Sequence, residues 1–154
     1  MSPVLVSLST WLHVLATIVF VGYYVFTGLI YLPVLETSMQ ADALRDVLEQ
    51  VSVRLKPYFG GSLLIFIVTG TYLMFINTNY RGLGNFFANP WTVLIVVKHL
   101  LVVAFIVLAF YSERAFMAKI GEQRPEALKR FHWALNINTA LGALIVLLTS
   151  VAQG

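Results

Sequence analysis

Four long apolar runs, about residues 4–35, 58–76, 91–111 and 131–151, constrain this chain more than any other feature. Each meets the ~20 residues an α-helix needs to cross a hydrocarbon core, and none alternates with the period of two that marks a barrel strand. In lipid every backbone amide must find its partner inside the protein, so continuous runs of this length become helices. The first is long enough to tilt or to project beyond the bilayer. Composition agrees. Hydrophobic residues make up 59% and charged ones 11% of the 154 residues, against about 45–50% and 25% in soluble domains. The expected fold is all-α: an integral membrane four-helix bundle, one domain over residues 1–154, multi-pass in the cell inner (plasma) membrane with the lipid bilayer as its first partner. The first run lacks a basic flank and is far longer than a signal-peptide core, so it is expected to stay in the protein.

Charge gives the orientation. The connection between the first two runs carries Arg45, Arg54 and Lys56, and that between the last two carries Arg114, Lys119, Arg124, Lys129 and Arg130. The middle connection carries only Arg81. By the positive-inside rule both termini are expected on the non-cytoplasmic side. The net charge of +3 is carried beside apolar segments and gives no reason to expect nucleic acid.

The connections have their own patterns. Over residues 38–55, Leu44, Leu48, Val51 and Leu55 recur at helical spacing opposite Arg45, Asp46, Glu49 and Arg54. That pattern predicts an amphipathic helix at the cytoplasmic surface or, equally, a solvated helical linker. Residues 77–89, with Gly82, Gly84 and several Asn, read as an outer loop whose Phe86 and Phe87 reach the interface. Gly121 is the expected stop of the third helix and Pro125 the start of the fourth.

Inside the apolar runs the polar residues carry the information, because they usually face the bundle interior. One face of the first helix presents His13, Thr17, Tyr24, Gly28 and Tyr31; the second presents Tyr58, Ser62, Thr69 and Tyr72; the fourth presents His132, Asn136, Thr139, Ala143 and Ser150. The third offers His99, with Val103 and Ile106 below it and Lys98 beside it. Gly22, Gly28, Gly61, Gly70 and Gly142 are positions for close backbone approach. Ordinary interhelical hydrogen bonding accounts for any one of the hydroxyls.

Two histidines stand apart. The first run opens with Ser2-Pro3 and the third with Asn89-Pro90, a polar cap before a first-turn proline. His13 follows its proline by ten residues and His99 by nine, so each lies ~14–15 Å along its helix, at one depth. Two imidazoles at one level in a bundle are able to ligate a haem b iron from both sides, with Lys98 near a propionate and Tyr24 and Tyr72 as pocket residues. The rival metal is copper, also on His13 and His99; without Cys, and without a Met pair at helical spacing, soft ligands are few. Phosphate-binding loops, nucleophile elbows, HExxH and intramembrane carboxylates are all missing from the sequence.

Trp11-Leu12-His13-Val14-Leu15-Ala16, Gly22 nine residues past the histidine, and Leu32-Pro33 resemble the opening helix of CopD-type membrane domains. Val68-Thr69-Gly70-Thr71-Tyr72, Lys98 and Asn136-Ile137-Asn138-Thr139-Ala140-Leu141-Gly142 extend the likeness over nearly the whole chain. The pattern is also similar to HemJ-type protoporphyrinogen oxidases, whose first-helix histidine and third-helix lysine correspond to His13 and Lys98. Those enzymes usually have Arg after Tyr-Leu-Pro, where this chain has Val34, and the CopD-like assignment fits better. That resemblance implies copper uptake or resistance.

Three readings result. The first is a haem b protein in electron transfer or a small redox reaction, a haem-dependent oxidoreductase with a quinol or a porphyrin as substrate. The second is copper handling at His13 and His99, and the third a non-catalytic subunit of a homodimer or larger membrane complex. The order reverses if His13 and His99 face lipid on opposite sides of the bundle.

Overall fold

The computed structural model describes residues 2–153 apart from Leu83, Phe86, Ala88 and residues 121–124. Phe86 and Gly121, expected at the interface and as a helix stop, lie outside the described residues. Among the described residues there is no strand. The order is α1 (Pro3–Phe26), a π-helical turn (Thr27–Tyr31), α2 (Leu32–Ser38), α3 (Ala41–Ile76), α4 (Pro90–Ile120) and α5 (Pro125–Gln153). Pro3–Ser38 forms one continuous 36-residue rod, so the four expected spans are all present as helices long and apolar enough to cross a membrane. The chain is an integral membrane protein.

Local chemistry explains the helix ends. Asn89 caps α4: its side-chain carbonyl accepts the Thr92 N–H at 2.8 Å and the Thr92 hydroxyl at 2.9 Å. The matching Ser2 does not cap with its side chain; its backbone carbonyl accepts the N–H of Leu5 at 3.1 Å instead. The π-turn has a cause two residues downstream. Pro33 offers no N–H and its ring crowds the carbonyl four residues back, at Leu29. Widening that turn lets the Leu32 N–H reach the Thr27 carbonyl, five residues back.

The expected amphipathic segment is not a separate surface helix but the first turns of α3, which runs unbroken through Pro57 for 36 residues. At 1.5 Å per residue that is ~54 Å, well beyond a ~30 Å hydrocarbon core. Its apolar stripe is real: Leu44 and Leu48 are buried in one cluster with Leu32 and Leu35 of α2.

α1 packs closely on α3 and α4 on α5, and α1 also meets α5, whereas α3 and α4 touch only lightly. An aromatic cluster fills the centre, with Tyr24 edge-on to Phe105 at 4.9 Å and Phe20 edge-on to Phe59 at 5.0 Å. Three of the five singled-out glycines sit at helix crossings. A Cβ on Gly28 would stand 3.4 Å from Leu135 Cβ, and one on Gly142 would stand 3.0 Å from Val21. Gly22 and Gly61 face open space.

The expected inner stripe of the last helix is displaced. Asn136, Ala143 and Ser150 are exposed, while Phe131, Ala134, Leu135, Asn138 and Ile145 are buried. Asn138 is fully buried, with neither amide atom hydrogen-bonded within the described residues. Tyr58, expected on the inner face of the second span, is 67% exposed.

Candidate functional site

The starts of α1 and α4 and the ends of α3 and α5 lie at one end of this four-pass bundle, and the starts of α3 and α5 lie at the other. His13 and His99 are both toward the loop end, each about ten residues into its helix, yet their surroundings differ.

His13 is half-buried against α3. Its ring stacks on Phe66 at 4.3 Å between centroids, and its Cε1 would come within 2.9 Å of any Cβ at position 70. Gly70 is what lets the ring lie there. His13 Nδ1 is 3.0 Å from the Thr69 hydroxyl oxygen, and that hydroxyl donates its one proton to the Ile65 carbonyl at 2.6 Å. The Thr69 oxygen is therefore left to accept, so Nδ1 carries the imidazole proton and Nε2 keeps its lone pair. On α1 itself, Thr17 donates to the His13 carbonyl at 2.8 Å.

His99 reaches the same tautomer by another route. It stands on the exposed side of α4, with Nδ1 2.7 Å from the Ile95 carbonyl. A carbonyl only accepts, so Nδ1 donates and Nε2 is again the free lone pair. An imidazole that donates one ring N–H to oxygen while leaving the other nitrogen bare is the form in which histidine ligates metals.

His99 lines a cleft of about 290 Å³ between the end of α3, the loop and α4, together with Met74, Tyr80, Trp91 and Thr92. Met74 is not among the candidate ligands the sequence points to, yet it shares this lining with His99. The loop is tied in place by Asn89, which donates to the Asn79 carbonyl at 2.9 Å.

The remaining predicted residues scatter. Lys98 is half-buried on α4. Tyr24 lies eleven residues beyond His13, ~16 Å along the helix, and lines a different cleft near the basic end. Tyr72 is half-buried and lines neither cleft. His132, in the first turns of α5, lies 3.6 Å from the Glu36 carboxylate of α2.

Two metal readings meet this geometry differently. Neither cleft is lined by both histidines, and one face of the His13 ring is already covered by Phe66. The residues as arranged do not fit a macrocycle held between the two imidazoles. Among the described residues no three His, Cys, Asp or Glu gather into a metal cluster either. What remains is an imidazole and a thioether on one cleft wall, a donor set suited to a soft monovalent ion.

The four long apolar helices describe a multi-pass inner-membrane protein. Residues 49–152, more than half of the chain, match the family model CopD, copper resistance protein D. The chain belongs to that family. Searches of curated proteins and of solved structures found no match.

Proposed function

We propose that this protein handles copper at the membrane, receiving Cu(I) as cargo through the cleft at the loop end. The carrying observation is that Met74 and His99 line that one cleft, in a chain of the copper-resistance family. Met74 would offer its thioether near the end of α3 and His99 its imidazole ~14 Å into α4. Thioether and imidazole favour Cu(I) over harder ions. His13, with its own bare Nε2 and about as far along α1 as His99 is along α4, is the second candidate ligand. His99 lines the cleft and His13 does not, so His99 is the primary site.

The test is Cu(I) retention by the purified protein in nanodiscs against a competing chelator. His99→Ala is expected to weaken retention at least about tenfold, and Met74→Leu to weaken it less, with His132→Ala unchanged. Wild-type retention in both cleft variants would overturn the reading. So would a red preparation with stoichiometric haem and no copper affinity.

A further inference from the structure

The largest cleft lies at the other end of the molecule and has no part in the copper reading. It measures about 500 Å³ and is walled by Phe20, Tyr23, Tyr24, Phe59 and Phe110, with charge only at its mouth. There it continues into a polar vestibule of about 350 Å³, which shares Ser52, Lys56, Glu113 and Arg114 with it and adds Arg45 and Glu49. The chamber lies where α3 and α4 meet only lightly, between helices long and apolar enough to cross a membrane.

The rim is held in shape. Lys56 pairs with Glu113 at 3.4 Å, and Ser52 donates to the same carboxylate. With Glu113 bound twice, Arg45 and Arg114 are the cations left to face a visitor, and the vestibule carries three cationic side chains against two carboxylates. An aromatic slot between membrane-spanning helices and ending in an excess of positive charge complements a molecule with an apolar tail and an anionic head. Basic pockets between transmembrane helices at the cytoplasmic face are where anionic lipid headgroups bind.

We infer that this bipartite cleft is a binding site for an anionic phospholipid, its phosphate at Arg45 and Arg114 and one acyl chain in the aromatic slot between α3 and α4. The dimensions agree, since ligand clefts of this kind run to ~300–1,000 Å³ with mostly apolar walls. Gly60 gives a means to test it. It lines the slot, and a Cβ placed on it meets nothing within 4 Å, so a larger residue there fills the chamber without displacing the backbone.

The experiment is native mass spectrometry of the full-length protein released from detergent containing phosphatidylglycerol, phosphatidylcholine or oleate. Wild type is expected to retain one phosphatidylglycerol in preference to phosphatidylcholine. Arg45→Gln and Arg114→Gln should each lower retention roughly fivefold. Gly60→Leu should abolish it with the rim intact and with thermal stability no lower than wild type, which separates blocking from misfolding. The distant Arg81→Gln should have no effect. Equal retention of phosphatidylcholine, retention undiminished in Gly60→Leu, or oleate held in place of the phospholipid would each overturn the assignment.

Discussion

His13 shows how one intramembrane side chain is held by several small decisions. Thr69 spends its proton on Ile65 and so fixes the tautomer, while Gly70 makes room for the ring. Gly70→Ala would put a methyl at 2.9 Å from Cε1, forcing the ring off Phe66. The expected loss is about 1–3 kcal/mol, the usual cost of overpacking, read as a lower melting temperature in detergent. Thr69→Val keeps the volume and removes the acceptor. The ¹⁵N imidazole spectrum should then change from a single Nδ1–H tautomer to a mixture; an unchanged spectrum would mean that Thr69 does not select the tautomer. His99 needs no partner helix for the same result, because Ile95 of its own helix accepts its proton.

At the scale of the element, the π-turn decides how the first rod meets the last. Pro33 creates it, and Gly28 within it presses on Leu135, Asn136 and Thr139 of α5. A bulky residue at that crossing has nowhere to go, whereas one at Gly22 points into open space. Gly28→Val is expected to destabilise by about 1–3 kcal/mol. Gly22→Ala should be neutral or stabilising by up to about 1 kcal/mol, from helix propensity alone. Thermal melts of the two variants side by side check both, and equal melts would show that the crossing tolerates a larger separation. The buried Leu44 and Leu48 illustrate the same dependence on neighbours. Their spacing specifies a sticky face, but α2 determines that protein rather than lipid covers it.

Across the whole molecule, two closely packed helix pairs are joined through α1 and α5, and the open seam between α3 and α4 leaves a cleft near each end. The seam separates two chemistries, soft ligands at the loop end and a basic rim at the other. With Arg81 alone on the loop side, the loop end is expected outside the cytoplasm. Alkaline phosphatase fused after Gly154 should accordingly be active and a fluorescent protein dark; the reverse pattern would invert the direction of the copper path.

The amino-acid sequence alone determined the four spans, the helix starts at Pro3, Pro90 and Pro125, the break between the second and third spans, and the placing of His13 and His99 about ten residues into their helices. These follow from local properties: hydrophobic length, a ring without an N–H, a capping side chain. It also carried the CopD likeness. Rotation about each helix axis was not legible in the same way. In a chain so rich in apolar residues, lipid and protein interior solvate a side chain nearly alike, so a stripe of hydroxyls and amides is a weak guide to the inner face. That is why Asn138 rather than Asn136 is buried, why Tyr58 faces out, and why His99 shares a cleft with Met74 and not with His13. Only the packing of one helix on another, set by where Gly28, Gly70 and Gly142 allow close approach, decided which residues became neighbours.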